Sequence, residues 1–291
     1  MEVYDGPVGV IVPDPGQGVH ISAYGELGSA EFDVSTDLQG TVTLRHVGPD
    51  TGVTAPQATT VNASADLSLA APDACEDAAY NVNTWYWFDP YPWYFRAGST
   101  PSEMTAATAA WEFVNAVDEV VSSTRCNLED KVIASAAYGG YASNDDDIYI
   151  TTTPNGTKKA RCEYNDDTDD VSIVGFGNLP VREENGVKNY LALTCTWREM
   201  MPVPYRPAAV ESDQRLNKED FGWGASPLPS GCGRYSVQAV ATHEFGHTFG
   251  LAHVSEADHG KLTMSTASNG PCQDSEESFG KGDILGMRAQ Y

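Results

Sequence analysis

The stretch His243-Glu244-Phe245-Gly246-His247-Thr248-Phe249-Gly250-Leu251-Ala252-His253 constrains this chain more than any other. Ser236 is a candidate N-cap, and Val237, Ala241 and Phe245 recur at steps of four, so a helix runs into the stretch. His243 and His247 also lie four apart and stack on one face. They stand two residues, about 200°, from the Ala241/Phe245 face. One side of the helix therefore packs into a core while two imidazoles point into a cleft. Gly250 is the helix stop, because glycine accepts the left-handed conformation just after the cap. The turned chain then brings His253 back toward the other two histidines.

Three neutral imidazoles and a water make the open tetrahedral site of catalytic Zn²⁺. Glu244 is next to a ligand but does not point at the metal, which places it to take a proton from that water. The metal lowers the water pKa to about 7 and polarises a scissile carbonyl. Glu244 would then pass the proton to the leaving amine. The chain has six histidines, and three of them fall in this stretch.

Here the sequence resembles the metzincin zinc peptidases, whose signature is H-E-x-x-H-x-x-G-x-x-H followed by a Met-turn. Met264, in Lys261-Leu262-Thr263-Met264-Ser265, matches that turn. The C-terminal run from Gly280 to Tyr291 and the segment Glu211–Asn217 are similar to the matrixin branch, in particular to secreted actinobacterial matrixin-like peptidases. The likeness spans about Cys75 to Tyr291 and leaves out residues 1–72. It implies a metzincin-like catalytic domain of α/β (α+β) class over 73–291, with a twisted, mostly parallel sheet and an active-site helix. It implies a secreted zinc-dependent endopeptidase acting on a protein or peptide substrate. His243, His247 and His253 would be the metal ligands, Glu244 the base, and Met264 an apolar support that does not ligate.

The resemblance also implies roles for flanking segments. An extended substrate would add antiparallel to an edge strand, with Leu191–Trp197 as the candidate. Ser265–Cys272 would line the pocket for the side chain after the scissile bond. Disulfides Cys75–Cys126, Cys162–Cys195 and Cys232–Cys272 would brace the domain. Departures from the family are equally definite. No histidine lies between residues 47 and 242, so a second, structural zinc is not expected. No tyrosine stands two residues after Met264, position 254 is Val, and the cysteine latency motif is missing.

Residues 1–72 hold no Cys, Trp or Lys, and Arg45 is their one basic residue. Alternating runs at Val8–Val12, Val19–Tyr24, Glu31–Val34, Thr41–His46 and Thr59–Val61, punctuated by Gly, Pro and Asp, predict a small all-β N-terminal unit. It reads as an accessory module or a pro-segment, joined at Ala70-Ala71-Pro72-Asp73 to residues 73–291.

In that second unit the aromatics from Trp85 to Phe95 predict strands buried against a helix. Thr100-Pro101-Ser102-Glu103 has the form of a capping box, opening an amphipathic helix that ends near Ser122. Strands are expected at Val132–Ala137, Ile148–Thr152, Ser172–Phe176, Leu191–Trp197 and Val210–Arg215. Two acidic loops lie among them. Asp145, Asp146, Asp147, Asp166 and Asp167 are candidate Ca²⁺ ligands, since calcium takes six to eight oxygens, although neither loop fits the EF-hand pattern. Solvated acidic loops are the competing reading.

Composition supplies the exclusions. A formal charge of −24 argues against nucleic acid and anionic membrane as partners. No apolar run approaches the roughly 20 residues that span a bilayer, and the acidic start Met1-Glu2-Val3-Tyr4-Asp5 is not a cleavable leader. Six widely spaced cysteines without a C-x-x-C pair suit disulfides in an oxidising compartment, with buried cytosolic thiols as the alternative. The expected protein is a secreted, monomeric zinc metalloendopeptidase. The competing expectation is a zinc-holding, non-catalytic binding or adhesion module whose cleft is blocked by residues 1–72 or unsuited to peptides.

Overall fold

The computed structural model describes residues 2–26, 28–47, 71–123, 125–128, 132, 134–163, 171–180, 183–184, 187–188, 190–201 and 205–291. Five strands precede residue 47: β1 Glu2–Asp5, β2 Val8–Ile11, β3 Gln17–Tyr24, β4 Ala30–Thr36 and β5 Val42–His46. The last four fall on the alternating runs; Thr59–Val61 lies outside the described residues. Then follow β6 Tyr91–Arg96, α1 Ala106–Ser122, β7 Ala136–Ala142, β8 Ile148–Thr152, β9 Lys158–Cys162 and β10 Ser172–Gly177. β11 Ala192–Glu199, β12 Ala208–Asn217, α2 Val237–Thr248 and α3 Lys281–Gln290 complete the main elements.

An eight-stranded sheet has the order β5-β4-β3-β11-β12-β10-β6-β7. The pairs β5/β4, β4/β3, β3/β11 and β11/β12 are antiparallel. Only β12/β10, β10/β6 and β6/β7 are parallel. The expected mostly parallel sheet is therefore wrong: the protein is mixed α/β with mostly antiparallel pairing. Parallel neighbours need long crossovers, usually helical, and α1 is the one long helix between strands of this sheet among the described residues.

The expected separate all-β unit at the N-terminus is corrected as well. β3, β4 and β5 continue the large sheet, while β1 and β2 join β9 and β8 in a four-stranded one, order β1-β2-β9-β8. Asp33 of β4 meets Arg198 of β11 at 2.8 Å in a buried ion pair. The arginine and His20 outweigh burial and hold the Asp33 carboxyl down at about 2. β3 runs along β11 from Gln17 opposite Glu199 to Tyr24 opposite Ala192. The strand expected to offer a free edge to substrate thus has partners on both sides.

α1 begins five residues later than the capping box suggested. The Thr100 hydroxyl donates to Ala97 O (2.8 Å), closing the preceding turn. Thr105 is the cap instead, accepting from Thr108 N at 3.1 Å. The aromatic run is mostly core: Trp85, Tyr91, Trp93 and Phe95 are buried, and Phe245 of α2 meets the rings of Tyr91, Trp93 and Phe113. Two disulfides form. Cys75–Cys126 ties the segment before β6 to the end of α1, and Cys162–Cys195 joins β9 to β11 across the two sheets. Cys232 and Cys272 are not bonded. Each thiol is held by the 232–234 turn, Arg234 N donating to Cys232 Sγ (3.3 Å) and Gly233 N to Cys272 Sγ (2.9 Å).

Candidate metal centre

α2 starts at Ser236, whose hydroxyl accepts from Ala239 N (3.1 Å), and it stops as the sequence indicates. Gly250 takes φ +91°, a conformation that a side chain would strain. Its N–H closes on His247 O at 2.9 Å. The chain then doubles back, and His253 meets the two helix histidines.

The Nε2 atoms of the three histidines lie 3.0 Å (His243–His247), 3.1 Å (His243–His253) and 3.1 Å (His247–His253) apart. Each opposite nitrogen, Nδ1, faces an acceptor. His243 Nδ1 is 2.6 Å from Thr263 O, His247 Nδ1 3.1 Å from Leu251 O, and His253 Nδ1 2.7 Å from Glu31 Oε2. With a proton on each Nδ1, three Nε2 lone pairs converge on one point. Such lone pairs repel unless a cation lies between them. Tetrahedral zinc at about 2.0–2.1 Å from each nitrogen would set them roughly 3.3 Å apart, near the spacing found. Burial, then the mutual repulsion of the rings, holds His243 and His247 well below the usual imidazole range, in the neutral state that ligation needs. The group could hold a metal ion.

Glu244 is buried beside the triad. Thr194 of β11 donates to its Oε2, while Oε1 has no hydrogen-bond partner among the described residues. Burial pushes this carboxyl up to about 8; a dication beside it would draw it back down. Met264 packs against α2 at Gly246. A Cβ on Gly246 would collide with Met264 Sδ, so only glycine allows this approach. Asp283, at the start of α3, fixes the turn by accepting from Thr263 N (3.0 Å) and Met264 N (3.3 Å).

β3 and β4 contribute to the site as well, which the sequence did not indicate. Glu31 of β4 reaches His253, and His20 Nε2 stands 3.2 Å from Glu31 Oε1. His20, Glu31 and His247 form a second cluster of potential ligand atoms, on the Nδ1 side of His247. Burial alone would raise Glu31, but His253, His20 and His247 outweigh it and hold the carboxyl well below its usual range. Tyr24 of β3 stacks on His243, with ring centroids 3.6 Å apart and planes 19° apart. His243, Glu244, His247 and His253 are at most 1% exposed. The one available signal was an acid-and-histidine pattern inside strands (His20, Glu31, Asp33), which names no partner.

The calcium candidates do not assemble as expected. Asp145 pairs with Arg96, and Asp146 is gripped by Arg215, so arginines take the place of a cation there. Asp166 and Asp167 lie outside the described residues. Asp147 instead gathers with Glu211 and Asp213, their carboxylate oxygens within 4.8 Å of one another. Asp213 also accepts from Asp147 N and Ile173 N.

Compared with known proteins, the chain matches no protein-family model and no curated protein. The functional reading therefore rests on the site.

Proposed function

We propose that the chain is a zinc-dependent endopeptidase. The observation that carries this reading is the convergence of three buried imidazoles on one point, with the buried Glu244 carboxyl next to His243 on the same helix. The H-E-x-x-H-x-x-G-x-x-H spacing with Met264 behind it supports the same reading. Zinc held by His243, His247 and His253 would supply a Lewis acid for the scissile carbonyl and for water. Glu244 takes a proton from the attacking water and delivers it to the amide nitrogen as the C–N bond breaks, leaving a carboxylate and an amine. Thr194 fixes Glu244 Oε2, while Oε1 has no hydrogen-bond partner among the described residues and is the oxygen left to take that proton. The Nδ1 partners hold each imidazole in one tautomer and one orientation. No described helix is long and apolar enough to cross a membrane; with two disulfides, this supports an oxidising, extracellular setting.

A second reading has one observation behind it. The site is closed, as in a metal-holding module that binds without turning over. Glu244 speaks for catalysis, since a pure binder has no need of a base there.

The test is metal analysis of the purified chain, followed by turnover of a broad peptide library. One zinc per chain, lost in His247→Ala, with turnover abolished in Glu244→Gln, is the expected result. Absence of zinc would overturn both readings. Bound zinc without turnover, even in Tyr24→Ala, would favour the binding module.

A further inference from the structure

β3 lies along the catalytic wall as an extended peptide would. It pairs antiparallel with β11, the strand whose Thr194 holds Glu244. Where β3 ends, Tyr24 O accepts from Leu191 N (2.7 Å). The next residue crosses to the opposite wall: Gly25 bridges Ala267 in parallel, and Gly25 O accepts from Ser268 N at 3.1 Å. The chain at 24–25 is thus clamped between β11 and the segment that follows Met264.

Between those clamps the Tyr24 side chain enters the protein and is 1% exposed. One face of its ring lies on His243. Its hydroxyl donates to Glu276 Oε1 at 3.0 Å, and Glu276 is itself steadied by Asn269 N at 3.3–3.4 Å. A buried carboxylate at the end of an aromatic slot distinguishes phenol from phenyl, because a phenylalanine there would remove the 3.0 Å hydroxyl donor and leave only the longer contacts from Asn269 N. Residues 1–72 hold no cysteine, so this closure uses strand pairing and a ring rather than a thiolate on the metal.

We propose that β3 is a resident peptide ligand, that Tyr24 fills a pocket selective for tyrosine, and that Glu276 reads the hydroxyl. The chain is held closed by its own strand. The substrates it takes once β3 withdraws are extended peptides that place a tyrosine in the slot beside His243. The substrate statement rests on the peptidase reading; the pocket does not.

The experiment uses the full chain with Tyr24→Ala and p-cresol, which is the tyrosine side chain as a free molecule. Calorimetry should show p-cresol binding to Tyr24→Ala and not to wild type, with toluene at least tenfold weaker. In Tyr24→Ala/Glu276→Leu the preference for p-cresol over toluene should vanish. In the zinc-loaded protein, 1,10-phenanthroline should withdraw metal at least tenfold faster from Tyr24→Ala than from wild type, and p-cresol should slow it again. A peptide library cut by Tyr24→Ala should be enriched in tyrosine at one position next to the cleaved bond. Equal binding of p-cresol and toluene, or a library without tyrosine enrichment, overturns the proposal even if peptides are cleaved. Selective p-cresol binding to a protein that holds no zinc and cuts nothing sustains the pocket and sinks the peptidase reading. If Tyr24→Ala does not fold, Glu276→Leu with Tyr24 retained should speed amide exchange at Leu191 and Ser268 at least tenfold, leaving α3 unchanged. Unaltered exchange there overturns the role of Glu276.

Discussion

Glu31 Oε2 lies 2.7 Å from His253 Nδ1, although 222 residues separate them in the chain. The carboxylate also accepts from His253 N at 3.2 Å, so it fixes both the ring and the backbone of the third histidine. β3 and β4 are therefore built into the candidate metal centre. Partners of this kind typically change metal affinity 10–100-fold. Glu31→Gln should weaken zinc binding by that factor, as measured by competition with a chromogenic chelator, while Glu2→Gln should not. Equal affinities in the two variants would remove Glu31 from the site.

Gly246 is the point where Met264 touches the helix. Gly246→Ala drives a methyl into the sulfur, and overpacking of this sort costs about 1–3 kcal/mol. The urea midpoint should fall accordingly, and the metal should be held less tightly because Met264 cannot leave without dragging Thr263, the partner of His243. Met264→Leu, which nearly conserves volume, should cost less than about 1.5 kcal/mol. The reverse ranking would rule out this packing.

Stability should fall as the pH rises from about 5 to 8. Burial pushes Glu276 up to about 7 from 4.5, and Asp283 up to about 7 from 3.8, against the hydrogen bonds they accept. Their protonated forms favour the folded state. That contribution is complete below the unfolded values and is lost as pH passes through about 7. Repulsion within a chain of net charge −24 acts in the same direction, so the informative quantity is a difference between proteins. Glu276→Leu should show a shallower decline of the urea midpoint than wild type; an identical slope would count against the assignment.

The cysteines divide into two classes. Cys75–Cys126 closes a loop of 51 residues, and losing a bridge of that span costs about 2–5 kcal/mol, much of it through the entropy of the unfolded chain. Cys75→Ser/Cys126→Ser should lower the thermal midpoint by many degrees. Cys232→Ser/Cys272→Ser removes two thiols that are free in the structure and should shift it by at most a degree or two. Comparable losses in the two double variants would show that the second pair is also bonded.

The sequence alone determined which three histidines meet, that Glu244 stands beside them, and where the chain turns at Gly250. All lie within eleven consecutive residues, where a period of 3.6 and one left-handed glycine settle which side chains meet. Met264 was legible for the same reason, being close in the chain and fixed by spacing. The alternating runs at β2 to β5 were legible as strands, but alternation states a period and names no partner. Only the tertiary structure decided that β3 would cover β11, that the large sheet would be mostly antiparallel, and that Arg96 and Arg215 would occupy Asp145 and Asp146. It also decided that Glu31 would orient His253 and Tyr24 would lie on His243. Strand pairing joins backbone groups that every residue carries, so the choice of neighbour falls to the burial of whole faces. Local sequence wrote the chemistry of the site, and the long-range burial of β3 and β4 decided what stands at its door.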